Sequence, residues 1–585
     1  MSHLPQLIDA LAAERAARIA EDAACRAMPL RDRIALGHTL APLDLLTTEH
    51  RSKGRVNVLL RGGDAPSTIV PGCAVQLTRM ARMDGGYAGR CEGIGGGAVE
   101  LRIDGVPEVD GPWAVSRRLD LQVHDAQVAA LTRALHVWSP VKNLLLGHEA
   151  PYRPDPLDHR ALASLSPEQR RAAALALGAT EIGLLHGPPG TGKTTVAARM
   201  LVAMVDAGDR PFALAETNAA VDQLALAAEA AGLDVVRLGG SPRIPSAARH
   251  LGLEYRILHG ARATVIGGLL RRATRATGEE RAEVEAHISE EWQAAKREIL
   301  ESAHVLATTI ETLQTRGEAL RNPRTALIDD ASQVSEPVIW HLAQRVKRIL
   351  LVGDPAGLPP VVKSRHPILE QSLLARLVGA GFPFPALTEQ HRMNAGIQAV
   401  LEGWGARELH ATAEVADRAV ADLGVADNAW SAPEVQFLDT TSSGADEERA
   451  GPGAFVNPGE VDLVQRVVGE LRAAGARPEH LAVIAPYGAQ VARLRAALLD
   501  VEVGTVDDLQ GREKDIVIAS YVRANAEGEV GTAGDGRRLR YGLSRARRLY
   551  IGIGDAATLG QSAEHQRLID AAAAAGGYRS VWELG

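Results

Sequence analysis

The stretch GPPGTGKTT, Gly187 to Thr195, has the residue types and spacing of a phosphate cradle. Its glycines let backbone N–H groups face an anion, and the helical pattern that follows adds the positive end of a helix dipole. Lys193 has the reach to meet the β- and γ-phosphates of a nucleotide, and Thr194 offers a hydroxyl to Mg²⁺. Gly187, Pro188, Gly190, Thr191, Gly192, Lys193, Thr194 and Thr195 form the candidate nucleotide-binding set. A second acidic element lies downstream. In TALIDDASQV, Thr325 to Val334, three apolar residues run into Asp329 and Asp330. A buried strand ending in carboxylates after such a cradle points to Asp329 as the other magnesium contact. Asp330 is the candidate for handling the attacking water, one methylene shorter than the glutamate many such sites carry.

These residues need rigid elements to hold them. From about residue 160 the pattern is α/β: EIGLLHG, PFALAET, AHVLATT, TALIDD and RILLVGD are apolar runs of strand length separated by helical stretches, as in a parallel sheet. A second block follows residue 386, with EVQFLDT, HLAVIAP, DIVIASY and RLYIGIGD as its strands. Residues 245–300 are charged, helical in pattern and too long for a plain crossover, which predicts a helical insertion. Residues 441–458 read as an exposed loop. Ahead of the α/β blocks, residues 1–45 read as one long amphipathic helix, with Leu4, Leu7, Ile8, Leu11 and Ile19 at helical spacing. Residues 46–122 change to short alternating runs punctuated by turns at MDGGYAG and GIGGG, which predicts a small β-barrel. Residues 123–159 return to helical period and a linker.

At 585 residues the chain is too long for one core. Its three cysteines are far apart and form no CxxC pair, which argues against zinc or a disulfide framework and fits a reducing, cytoplasmic setting. It has no apolar run long enough for a membrane span, and the N-terminal stretch is charged and helical rather than a signal peptide. A net charge of −8 argues against a general nucleic-acid coat but not against a locally basic channel. Aromatics at 3% leave few platforms for stacking bases.

Further strings fall into an ordered series. LSPEQ (165–169), AETNAAVDQLA (215–225), LATT (306–309), VGDPAGLPP (352–360), LTEQHRMN (387–394), VIAPYGAQV (483–491), VGTVDDLQGREKDIVIAS (503–520) and RRLRYGLSRARR (537–548) resemble, in order, the Q motif and motifs Ia, Ic, III, IV, IVa, V and VI of superfamily 1 helicases. Within these the resemblance is to subclass B, the nonsense-mediated-decay and immunoglobulin-mu-binding helicases, and it covers nearly the whole chain. It implies two RecA-like lobes, 160–385 and 386–585, that hydrolyse ATP between them, with a helical stalk, a barrel (domain 1B) and a helical insertion (domain 1C) on the first. It also implies movement 5′ to 3′ along single-stranded DNA or RNA. On this resemblance Gln169 reads adenine, His391 stacks on it, and Arg392 and Arg545 reach the γ-phosphate as arginine fingers. Glu513 meets the ribose or couples to the cleft. Thr217, Asn218, Thr309 and Thr505 match positions that contact sugar and phosphate.

The chain departs from the pattern at four places. Asp330 stands for the usual glutamate, Gly357 for a glutamine of motif III, His391 for a tyrosine and Arg540 for an asparagine. The first two converge on the γ-phosphate and leave a second reading open: an ATP-gated nucleic-acid clamp with little or no hydrolysis. Against it, Lys193, Thr194, Asp329, Arg392 and Arg545, the charge stabilisers, are all retained.

Overall fold

A computed structural model describes residues 3–50, 55–62, 67–107, 111–240, 244–316, 320, 323–404, 408–451 and 453–584. The chain forms two compact units: Met1–Leu185 with Thr194–Gly353 and Pro359–Pro385, and His186–Lys193 with Asp354–Leu358 and Ala386–Gly585. The phosphate-cradle loop thus groups with the C-terminal residues, which the division of the sequence at 386 does not anticipate.

The first unit opens with a helix, His3–Ala27, whose Leu4, Leu7, Ala10 and Leu11 are buried. The expected single helix over 1–45 is corrected here. The helix stops at Ala27, a short one spans Leu30–Ala35, and Thr39–His50 is a strand, β1. Pro29 has no N–H to carry the first helix onward, and Gly37 turns the chain at a φ of 71°. Five more strands follow: β2 (Arg55–Gly62), β3 (Ala74–Arg79), β4 (Arg82–Gly95), β5 (Ala98–Asp104) and β6 (Trp113–Arg117). They close a barrel in the order β1-β2-β5-β4-β3-β6. Alternation decides which side chains face in: Val56, Val58 and Leu60 are buried on β2, and Leu101 and Ile103 on β5. MDGGYAG is not a turn but part of β4, and the register of β3 against β4 shifts there. Gly86, at a φ of 104°, lies so close to the Leu77 carbonyl that only glycine fits.

After a helix at Gln122–His136 comes a parallel sheet made of β7 (Ile182–His186), β8 (Phe212–Ala215), β9 (Val235–Arg237), β10 (Val305–Thr309), β11 (Thr325–Ile328) and β12 (Arg348–Gly353). Its order is β7-β12-β11-β8-β10-β9. β8, β10 and β11 are buried along their whole length, as a sheet covered on both faces requires. Between β9 and β10 lie helices Leu253–His259, Ala263–Ala273 and Gly278–Ser302, which bury Ile257, Ile266 and Ala295 in a small core of their own.

The second unit carries another six-stranded sheet. Its order is Glu502–Gly504, Leu481–Ile484, Lys514–Ser520, Ala546–Gly554, Val435–Asp439 and Tyr578–Ser580, and neighbouring strands run parallel. The two sheets make the chain a mixed α/β protein with RecA-like parallel-sheet folds plus a six-stranded barrel. The expected loop at 441–458 instead contains a hairpin, Glu448–Gly451 against Ala454–Val456. Its Phe455 ring takes the Arg523 guanidinium at 4.3 Å.

A buried polar knot ties this sheet to the helix Pro458–Ala473. Glu460, fully buried, accepts hydrogen bonds from the Ser520 hydroxyl at 2.6 Å and from the Val522 N–H at 2.9 Å. The bond helps hold Val522, a β-branched residue, at a φ of 74°. Burial pushes the Glu460 carboxyl up to about 8, against the pull of the hydrogen bonds from Ser520 and Val522. The folded value lies above the unfolded one, so its contribution to stability is complete below the ordinary glutamate range and declines as pH rises toward 8. Glu460→Gln is expected to remove that decline. Urea unfolding at pH 5.5 and 8.5 should show the variant gaining on the parent at the higher pH, on the order of 3 kcal/mol.

Candidate nucleotide site and strand-facing loops

The cradle loop is shaped by its glycines. Gly190 and Gly192 adopt φ values of 82° and 78°, the left-handed region. At Gly187 a Cβ would collide with the Lys193 side chain. Lys193 Nζ donates to the carbonyls of Gly187 at 2.6 Å and Pro188 at 3.1 Å, while the buried Thr191 hydroxyl donates to the Pro188 carbonyl at 2.8 Å. Thr194 and Thr195 begin the helix Lys193–Asp206, with Thr195 exposed.

The motif IV residues sit against this loop. The His391 N–H donates to the Gly190 carbonyl at 2.9 Å, and the His391 ring is exposed. A larger residue at Gly190 would be strained, because the φ of 82° is left-handed and a Cβ there would stand a tight 3.0 Å from Arg392 Cβ. Arg392 donates through Nε to Glu513 and through Nη1 to the Ser544 carbonyl at 3.1 Å. Burial and the neighbouring Arg545 bring the Arg392 guanidinium down to about 10, which leaves it cationic at neutral pH. Burial would raise Glu513, but Arg392 and Arg547 outweigh it and hold the carboxyl down to about 2. Arg545 is buried, stacks over the Tyr541 ring at 3.9 Å and bonds the Ser544 hydroxyl at 3.1 Å.

Two further residues of this cluster escape a motif-by-motif reading. Gln390 is fully buried, and its Oε1 accepts the N–H groups of Arg392 at 2.9 Å and Met393 at 2.8 Å. It is the fixture that sets the backbone carrying Arg392. Asp354 bonds the His186 ring at 3.2 Å and the Ala356 N–H at 3.0 Å. Burial would raise its carboxyl, but His186 and the charge of Lys193 hold it below the usual aspartate value. A glutamine inside EQHR and an aspartate ending RILLVGD were the available signals. Gly357 closes a turn back to the Asp354 carbonyl at 2.8 Å.

In the first unit, the Thr194 hydroxyl donates to Asp329 Oδ2 at 2.7 Å, and Asp329 is buried at the end of β11. A hydroxyl and a carboxylate converging this closely are hard oxygen donors of the kind Mg²⁺ takes. Asp330 follows in the left-handed region, φ 55° and ψ 43°. Its N–H donates to Asp329 Oδ1 at 3.0 Å, and its own carboxylate accepts from Ser332 at 3.2 Å and Gln333 at 3.4 Å. Gln169 forms a capping box with Ser166, its carboxamide oxygen accepting the Ser166 N–H at 3.3 Å.

The residues matched to strand contacts all occupy starts of helices or turns. Thr217 caps the helix Asn218–Ala230 by accepting the Ala220 N–H at 3.3 Å. Thr309 accepts the Thr312 N–H at 3.2 Å, and Thr505 accepts the Asp508 N–H at 3.2 Å. β8 and β10 pair with Ala215 opposite Thr309, which sets the Thr217 and Thr309 loops at the same sheet end. Arg540 bonds the carbonyls of Gly536 and Trp404, at 3.2 and 3.3 Å.

Two family models match the chain, each described as an AAA domain, one over residues 369–557 and one over 164–265 and 264–365. DNA-binding protein SMUBP-2 of Mesocricetus auratus is 31% identical over 458 residues, 72% of this chain and 46% of that protein. ATP-dependent helicase NAM7 of Saccharomyces cerevisiae is 30% identical over 426 residues, 68% of this chain and 42% of that protein. The chain therefore spans under half the length of these curated relatives. Among solved structures, the arterivirus nonstructural protein 10 helicase in complex with DNA aligns with a TM-score of 0.40 and 13% identity, over 87% of this chain and 78% of that one.

Proposed function

The chain belongs to the superfamily 1 helicases, and from that premise we propose that it is an ATP-driven translocase of single-stranded DNA or RNA, moving 5′ to 3′. The observation that carries this reading is the docking of the His391 N–H on the Gly190 carbonyl, which sets Arg392 beside the phosphate-cradle loop.

The proposed chemistry follows from charge. Lys193 neutralises the β- and γ-phosphates, and the guanidinium groups of Arg392 and Arg545 stabilise the charge that spreads over the transferring phosphoryl group. Asp330 orients the water that attacks it. Thr194 and Asp329 would hold Mg²⁺, which would supply positive charge to offset that of the phosphates. Gln169 and His391 take the adenine, and Glu513 holds Arg392 in place. Turnover loosens and restores the grip of Thr217, Asn218, Thr309 and Thr505 on the strand. The N-terminal helix, the barrel and the helix Gln122–His136 act as a stalk and its barrel domain, and residues 245–300 as the helical insertion. A cytoplasmic setting belongs to the same reading. Among the described residues no helix is long and apolar enough to cross a membrane.

Phosphate release, measured with and without single-stranded DNA and RNA, tests it. Stimulation by one of the strands is expected, and a rate no higher than that of Lys193→Ala would overturn the proposal. Displacement of streptavidin from a biotin at the 3′ end, and not from one at the 5′ end, is expected of a 5′ to 3′ motor.

Asp330 and Gly357 favour a second reading, the ATP-gated clamp. It calls for strand affinity that rises with ATP while no phosphate is released.

A further inference from the structure

Arg237 is fully buried at the end of β9, and among the described residues its guanidinium donates to three partners. Nε donates to Asp222 at 2.6 Å, Nη1 donates to the Leu238 carbonyl, and Nη2 donates to Asn218 Oδ1 at 2.8 Å. The surroundings are built to keep it there. Gly239, at a φ of 148°, would put a Cβ 3.1 Å from Nη1, and the Thr308 hydroxyl bonds the same Leu238 carbonyl at 3.3 Å. β9 pairs with β10 with Arg237 opposite Ala307, so the arginine lies at the sheet end that carries Thr309 and the start of the helix Asn218–Ala230.

A guanidinium has donors and no acceptor, so the group Asn218 turns toward it must be its oxygen. The carboxamide is thereby locked with its NH₂ away from Arg237, and that NH₂ makes no hydrogen bond among the described residues. Without such a lock an asparagine offers a donor or an acceptor with equal ease. With it, the half-buried Asn218 offers a donor alone. Oxygens of the sugar–phosphate backbone are acceptors present at every nucleotide, whatever the base.

We propose that Arg237 is a positioning residue for strand binding: it fixes the Asn218 carboxamide so that its NH₂ donates to a sugar–phosphate oxygen of the bound strand. This rests on the strand-binding reading above and adds which atom makes the contact and what aims it.

Asn218→Asp separates the contact from the fold. A carboxylate is isosteric and pairs with Arg237 at least as well as the amide does, so the structural role is kept. It has no donor, and it sets a negative charge against the phosphates. Thermal unfolding and anisotropy titrations of fluorescent oligo-dT and oligo-U are measured on the full chain. The variant is expected to melt at or above the parent temperature and to bind the strand about tenfold or more weakly. Arg237→Lys keeps a charge for Asp222 but lacks the fork that holds both partners, and weaker strand binding is expected there too. Parental affinity in Asn218→Asp would overturn the proposal, as would a loss of affinity that comes with a lower melting temperature. If the parent chain binds neither oligonucleotide, the strand-binding reading falls and takes this one with it. Binding by the parent and by Asn218→Asp alike removes only the role of Arg237 and Asn218.

Discussion

Arg392→Ala is expected to lower strand-stimulated ATP turnover by about a thousandfold or more, the scale on which an arginine that stabilises a transferring phosphoryl group acts. The size follows from how much of the structure is spent on this one side chain. Gln390 fixes its backbone, Glu513 and the Ser544 carbonyl hold its guanidinium, and Gly190 admits its Cβ. A surface arginine would need none of these. The guanidinium is pushed down only to about 10 and Glu513 is held to about 2, so the pair stays charged from pH 5 to pH 9. The deficit of Arg392→Ala should therefore be flat over that range. Glu513→Gln keeps the shape and removes the charge, and a smaller loss of about tenfold is expected. ATP affinity, read by a fluorescent analogue, separates binding from chemistry: the interaction counts mainly in the transition state, so affinity should change far less than rate. A rate within about threefold of the parent would remove Arg392 from the chemistry.

How far the sequence discloses this site depends on the range of the interaction. The cradle was legible because its glycines, lysine and threonine are contiguous and their geometry is local. The two sheets were legible because their central strands are apolar throughout. Val235–Arg237, Glu502–Gly504 and Tyr578–Ser580 were not, since a strand of three residues has no periodicity to read and is fixed by the neighbour it pairs with. The helix expected to run through residue 45 failed for a local reason: Pro29 outweighed an amphipathic pattern. Gln390, Asp354 and Arg237 were missed for the opposite reason. Each is a polar residue whose meaning comes from a partner: Gln390 through the Arg392 backbone it sets, Asp354 through His186, and Arg237 through Asn218 and Asp222. Residue type alone makes all three ordinary surface side chains. Burial turns them into fixtures, because a buried polar group must be satisfied. Gln169 shows the converse. The resemblance implies a base reader there, while the local bonds show a helix cap.

Asp330 is where sequence and geometry bear on one question, and Asp330→Asn is expected to reduce turnover by about a hundredfold while ATP still binds. Ser332 donates to Oδ1 and Gln333 to Oδ2, so an amide keeps only one of these two bonds, and it cannot accept a proton from the attacking water as a carboxylate would. The more telling substitution restores the family's usual residue. Asp330 occupies the left-handed region, where aspartate is among the few residues at ease, and its short side chain accepts bonds from residues two and three places on. A glutamate puts its carboxylate roughly 1 Å further out, a misplacement of the size that lowers rates when the surroundings are built for the original. Asp330→Glu, alone or with Gly357→Gln, is therefore expected to turn over ATP more slowly than the parent. That result would mean that the loop is fitted to aspartate and that the chain is a working motor with a shortened carboxylate. A large gain from the double substitution would mean the opposite. The native site would then be a motor that has lost its water-handling pair, and the clamp would be the better description.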